Sequence, residues 1–128
     1  MLALLNEYRS VIHLILHALV PWLVVVAVVP KGQRRFVFGV LMATMLVDVD
    51  HLLATPIYAP NRCSILFHPL HQVLPMAVYG LMVLWPVVLL AMKRVMKQWE
   101  IIMGWIGLGL LIHMLLDASD CVWMRLAQ

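Results

Sequence analysis

Four stretches of this chain are nearly unbroken runs of Val, Leu, Ile, Met, Ala and aromatic residues, at about 10–29, 36–53, 73–92 and 101–118. Each approaches the roughly 20 residues that a helix needs to cross a hydrocarbon core of about 30 Å. The first starts near Ser10 and stops at Pro30, and the last leaves open a continuation to Trp123. Pro21 and Pro86 predict kinks in the first and third runs, and Pro75 falls in the first turn of the third. Between the second and third, the segment from Thr55 to Cys63 holds Pro56, Pro60, Asn61 and Arg62 and predicts a loop. Gly104, Gly107 and Gly109 predict close helix approach in the fourth. No internal repeat or low-complexity tract breaks the pattern. The expected fold is an all-α membrane protein. It is a single transmembrane domain over residues 1–128, a bundle of four transmembrane helices with an outer-side loop between helices 2 and 3.

Composition agrees with this pattern. The 128 residues are 65% hydrophobic and 12% charged, with ten Met and five Trp, and the mean hydropathy is +1.00. The net charge of +3 is small and the basic residues are not interleaved with aromatics, so no nucleic-acid partner is expected. The first run lacks a preceding basic region and a small-residue cleavage site, which predicts a retained span rather than a removed signal. Lys31, Arg34 and Arg35 follow the first span, and Lys93, Arg94 and Lys97 follow the third. Arg9, Arg62 and Arg125 fall at the opposite ends. The positive-inside rule then places both termini outside, as in a bacterial inner-membrane protein. Trp22, Trp85, Trp99, Trp105 and Trp123 need only belt anchoring and core packing.

The ionisable residues change the picture. Every His and every Asp lies in or beside an apolar run, where such groups are costly and usually functional. Counted at about 1.5 Å per residue, His17, Asp48 and His113 each fall roughly 18 Å from the predicted cytoplasmic face. His13, Asp50, His51 and Asp117 lie a turn or less further out, and His68 and His71 sit on the outer loop or at the start of span three. Four segments thus bring polar groups to one level.

Several spacings suit metal ligation. His13 and His17 are four apart and share a helix face, so they chelate one ion or make a plain polar contact to a neighbouring helix. In Asp48-Val49-Asp50-His51, Asp48 and His51 share a face and Asp50 points elsewhere. Carboxylates beside a histidine suit a borderline divalent ion, and the alternative is a helix end reaching the wet interface. His68 and His71 flank Pro69, which fixes the backbone that presents them; unremarkable loop histidines are the alternative. His113 and Asp117 are four apart, with Asp117 a ligand or an orienting acceptor. Asp120 continues that stripe as a further site group or a helix-end charge. The expected ligands are therefore His13, His17, Asp48, Asp50, His51, His68, His71, His113 and Asp117. That is more than one tetrahedral ion can use, so two divalent ions are expected, zinc first, with manganese or iron as alternatives. Such a centre generates hydroxide near neutral pH and clamps a phosphoryl or acyl oxygen. Asp50 is the candidate general base or bridge, with Asp120 as a further catalytic candidate. Arg62 is placed to hold an anionic head group, or is a solvated loop charge. Cys63 and Cys121 fall on the outer side, where a disulfide, free thiols and metal ligation all remain open.

An early-helix His13 or His17, the Asp48–His51 tetrad, the His68/His71 loop and His113 with Asp117 together resemble the YdjM-like family of membrane-bound, metal-dependent hydrolases. The matching elements spread over most of the chain. The loop differs, reading FHPLHQ where that family typically has HRGxTHS. The resemblance implies a membrane-embedded metal site more firmly than a reaction; taken with the two-ion centre, the expected function is a hydrolase acting on an ester or phosphoester of a lipid or lipid-linked substrate. Membrane lipids are the expected partners, and oligomerisation is left open. Two other classes compete. Histidine-rich di-iron oxygenases and desaturases use similar spacings, with more histidines and fewer aspartates. A metal-ion transporter or sensor would need polar residues through the cytoplasmic half, which carries only Thr44 at mid-depth.

Overall fold

The computed structural model describes residues 7–57, 59 and 62–126. Among them every regular element is helical. Helix α1 spans Arg9–Val28. After a short 3₁₀ turn at Lys31–Gln33, α2 spans Arg34–Ala43 and runs directly into a 3₁₀ helix at Thr44–Leu53. A loop and a second 3₁₀ turn at Pro69–His71 lead to α3, Val73–Ala91, and then to α4, Gln98–Leu126. Four segments (α1, α2 with its 3₁₀ extension, α3 and α4) are long and apolar enough to cross a membrane. The chain is an integral membrane protein, an all-α bundle of four transmembrane helices. The 55–63 loop, whose Pro60 and Asn61 lie outside the described residues, joins the second and third helices at the same end as Arg9 and Leu126.

Two differences from the sequence pattern matter. First, α4 starts at Gln98, before the expected residue 101, and takes the continuation left open to Trp123 on to Leu126. Its charges do not end it, because Asp117 faces inward and Asp120 pairs with Arg9 on α1. Second, the half of span two nearer the 55–63 loop is 3₁₀ rather than α. Leu41, Thr44, Val47 and Asp50 are all buried, a strict period of three. An α-helix would rotate each successive member by about 60°, whereas a 3₁₀ helix stacks them on one line. The Thr44 hydroxyl donates to the Leu41 carbonyl at 2.6 Å, right at the transition. The ten residues of this segment rise about 20 Å instead of about 15 Å, which carries Asp48, Asp50 and His51 outward.

Two apolar cores hold the bundle. One, toward the 30–34 turn, packs Val25, Val29, Val37 and Leu41 with Phe38 and Trp105. The other packs Val47, Tyr79 and Met114 below the polar layer. Arg34 closes the α1–α2 turn, its guanidinium donating to the Val29 and Val26 carbonyls at 2.9 and 2.8 Å. Those carbonyls end α1 without helical partners, so a cation there is doubly favoured. The α3–α4 contact is close because α4 offers glycines. A Cβ on Gly107 would stand 2.8 Å from the Tyr79 carbonyl oxygen, and one on Gly104 would stand 2.7 Å from Pro86 Cγ. Helices α1 and α3 both run through their internal prolines, Pro21 and Pro86.

Gly107→Ala forces the α3 backbone away and is expected to cost about 1–3 kcal/mol. Gly80→Ala, where nothing lies within 4 Å, is expected to be neutral or to gain about 0.5–1 kcal/mol from helix propensity. Thermal unfolding in detergent separates the two.

Candidate metal centre

The polar groups of four segments meet at the end of the bundle that carries the 55–63 loop. Helix α4 contributes His113 and Asp117 from one face. The 3₁₀ segment contributes Asp48, and the turn after Pro69 contributes His71. Their ligand atoms lie within 4.8 Å of one another. His71 Nε2 is 3.5 Å from Asp48 Oδ1 and 3.2 Å from Asp117 Oδ2. His113 Nε2 is 3.0 Å from Asp48 Oδ1 and 3.7 Å from Asp117 Oδ2. A tetrahedral ion with bonds of about 2.0–2.1 Å has ligand–ligand edges of about 3.3–3.4 Å, in the middle of these separations. His71 Nε2 is buried and makes no hydrogen bond despite its two near carboxylates. Its Nε2 lies among the ligand atoms of the other three residues.

Asp117 has a second face. Its Oδ1 lies 3.1 Å from His13 Nε2 and 3.4 Å from His17 Nε2, both on α1. His17 Nδ1 donates to the His13 carbonyl at 2.9 Å. That bond fixes the tautomer, leaving Nε2 as a buried lone pair without a hydrogen-bond partner. One carboxylate therefore stands between two groups of imidazoles, one oxygen toward each. The inner group has four protein ligands. The outer group, His13, His17 and Asp117, has three.

Asp50 supports the inner group from behind, through His71. Its Oδ2 accepts the Leu70 N–H at 2.8 Å and pairs with His71 Nδ1 at 3.1 Å. Its Oδ1 pairs with His51 Nδ1 at 3.2 Å. A carboxylate on the far nitrogen of a ligating histidine orients the ring and raises its basicity. Asp50, His51 and His71 also form a third close group, but these hydrogen bonds already engage both Asp50 oxygens. His51 reaches Ser64 Oγ through Nε2 at 3.1 Å. His68 is buried and stacks on His51 with ring centroids 3.7 Å apart; it joins none of the ligand groups among the described residues. Burial, then the neighbouring His51, hold its imidazole below the usual histidine range. His71 is the opposite case. Burial opposes its charge, but the carboxylates of Asp117, Asp48 and Asp50 outweigh burial and push it up to about 10. Three carboxylates thus converge on this one ring.

The outer group borders a pocket of about 240 Å³ lined by residues of all these segments, among them His13, Asp48, His51, Arg62, Ser64 and Asp117. Asp120 sits on its rim, 3.5 Å from Arg9. Arg62 donates to the Pro56 and Ile57 carbonyls at 2.8 and 2.7 Å and lies 4.8 Å over the Phe67 ring. Cys63 and Cys121 form a disulfide with Cα atoms 5.1 Å apart, tying this loop to α4. Arg9 and Ser64 also belong to the site. Arg9 could have been found from its spacing, one helical step of four before His13 on the face that carries His17. Ser64 had no signal, since only the folded loop brings it to His51.

A family model matches residues 7–124, a span that holds every residue of this site. The chain belongs to DUF6122, a family of unknown function. No curated protein and no solved structure matches it.

The two ligand groups predict unequal losses of metal. Wild-type protein is expected to carry roughly two divalent ions per chain, His13→Ala roughly one, and Asp117→Ala fewer than one. Elemental analysis of detergent-purified protein reads this directly; equal metal content in all three would exclude the arrangement.

Proposed function

We propose that this protein is a membrane-embedded, metal-dependent hydrolase in which Asp48, His71, His113 and Asp117 would hold one divalent ion and His13, His17 and Asp117 a second. The observation that carries the reading is the division of the Asp117 carboxylate between a four-ligand group and a three-ligand group that borders the pocket. A site filled by four protein ligands suits structural ligation, whereas three protein ligands leave a position for water or substrate. Metal in such a position lowers the pKa of bound water and polarises a carbonyl or phosphoryl oxygen. The rest is work for the chain's own residues. Asp50 holds His71 in the tautomer that presents Nε2. Asp48 and Asp117 would offset part of the positive charge of two divalent cations. Arg62, fixed by two loop carbonyls, faces an anionic group entering the pocket. The mixed nitrogen and oxygen donors, with both cysteines tied in a disulfide, favour zinc, manganese or iron over softer ions.

The pocket lies at the ends of the spans, and its volume suits a head group rather than a whole lipid. We therefore assign an ester or phosphoester of a lipid or lipid-linked substrate, with the apolar part left in the bilayer. The resemblance to YdjM-like hydrolases supports the same reaction class. The Cys63–Cys121 bond and the Lys31/Arg34/Arg35 and Lys93/Arg94/Lys97 clusters at the opposite end support a site on the extracytoplasmic side of a bacterial inner membrane.

A second reading has an observation of its own. Two histidines and one carboxylate with open positions also make the iron site of non-haem oxygenases. Iron in the purified protein, with turnover that requires oxygen and a reductant, would select it. Ion conduction is disfavoured, because the half of the bundle below the site is closed by Val25, Val29, Val37 and Leu41, all nearly inaccessible.

The test is a panel of lipid esters and phosphoesters in mixed micelles. Hydrolysis is expected to vanish on chelation and to return with added zinc or manganese. Asp50→Asn is expected to weaken metal binding about 10–100-fold, as loss of an orienting partner does, and so to shift the metal needed for half-maximal activity. Activity that survives chelation, or a wild-type protein that retains no metal, would overturn the hydrolase reading.

A further inference from the structure

Below the candidate metal centre, toward the apolar core, lies a small cavity of about 10 Å³. It is lined by His17 and Pro21 of α1, Leu41, Thr44 and Met45 of the second span, and Gly109, Ile112, His113 and Leu116 of α4. Most of that lining is apolar, but three polar groups on it lack a full set of partners. His113 is 2% exposed and its Nδ1 has no hydrogen-bond partner. Its Nε2 is committed to Asp48 and Asp117, so Nδ1 is the ring's remaining polar atom. Thr44 gives its hydroxyl proton to the Leu41 carbonyl, which leaves its oxygen lone pairs to accept. That oxygen lies against α4, because a Cβ on Gly109 would stand 2.7 Å from Thr44 Oγ1. His17 is the third polar residue of the lining, and its main-chain carbonyl has no regular helical donor. In an α-helix its donor would be the N–H four residues on, and that residue is Pro21, which has none.

We infer that this cavity binds one water molecule, which accepts the His113 Nδ1–H and donates to Thr44 Oγ1 and the His17 carbonyl. The space matches a single water, and three polar partners are the usual number for a buried one. An unpaired ring nitrogen at this depth is costly. A water removes the cost in either tautomer, since it can donate or accept. The inference draws on the metal reading in one respect. A histidine that ligates through Nε2 needs an acceptor for its other N–H, and the partner that fills this role fixes the ring. For His71 the partner is Asp50, and for His17 it is the His13 carbonyl. For His113 no protein group serves, and the water does. Thr44, the lone polar residue in the middle of its span, is then a positioning residue that acts on the metal centre through that water. Gly109 and Pro21 each help: one makes room for Thr44, and the other frees a carbonyl.

Two measurements test this. A structure at a resolution that shows ordered solvent is expected to hold one water within hydrogen-bond distance of His113 Nδ1. Titration with Zn²⁺ against a competing chelator is expected to show Thr44→Val binding about 10–100-fold more weakly than wild type. Thr44→Ser, which keeps the acceptor, should bind close to wild type. Melting temperatures of the metal-free variants report whether Thr44→Val has lost its fold; if it has, the solvent density alone decides. A dry cavity, or a folded Thr44→Val with wild-type Zn²⁺ affinity, would overturn the inference. If the wild type binds no Zn²⁺, the metal reading fails, and the water stands or falls on the density. Metal bound above a dry cavity would sink the water and leave the metal centre intact.

Discussion

The arrangement depends on the cost of placing carboxylates inside an apolar bundle. Asp117 is buried on α4 and Asp50 under the loop, with Asp48 close by. Charges at such positions are tolerated when they are paired, and each has been given imidazoles as neighbours. Neutral imidazoles offer lone pairs as well as protons, so the same cluster that screens the carboxylates is a ready set of donors for a cation. The sharing of Asp117 between two histidine groups follows from its place at the meeting of α1, α4 and the turn after Pro69. One helix alone could not surround it.

The scaffold's irregular parts are where this layer is made. The 3₁₀ segment of the second span stacks Leu41, Thr44, Val47 and Asp50 along one buried line. It turns Asp48 and His51 together toward the pocket. A regular α-helix would have wound Asp50 away from the loop whose Leu70 N–H and His71 it holds. The loop in turn is fixed twice, by Asp50 from within and by the Cys63–Cys121 bond to α4. Leu66 adopts a left-handed conformation, φ 65°, and its N–H donates to the His71 carbonyl at 3.0 Å. A branched residue there costs roughly 1–2 kcal/mol, and the surrounding anchors hold it in place.

Glycine and proline contribute by what they lack. Gly104 and Gly107 let α3 approach α4, while Gly109 admits Thr44 beside the α4 backbone. Pro21 leaves a carbonyl uncovered beside the same cavity. These positions lie below the ligands, yet the glycines decide how closely α3 and the second span pack against α4. The lower core is plain aliphatic packing, which seals the site from the opposite membrane face.

Much of this was legible in the chain. Apolar runs of spanning length gave the four helices, because a bilayer imposes one length and one composition on anything that crosses it. Spacings of three and four, with depth counted along each span, gathered the histidines and aspartates into one layer, because helical rise is nearly constant. Other features were not local. Nothing in Asp48-Val49-Asp50-His51 says that the helix tightens to 3₁₀, since that follows from packing against α4 and the loop. The place of Asp117 between two groups of imidazoles was not visible either, because it arises only where α1, α4 and the turn after Pro69 meet. The pairing of Cys63 with Cys121 required two distant segments to meet. The sequence by itself determined which groups lie at the membrane depth of the site, through length, hydropathy and spacing. Only the tertiary structure decided which of them face each other, because the directions of side chains from separate helices are set by how those helices pack.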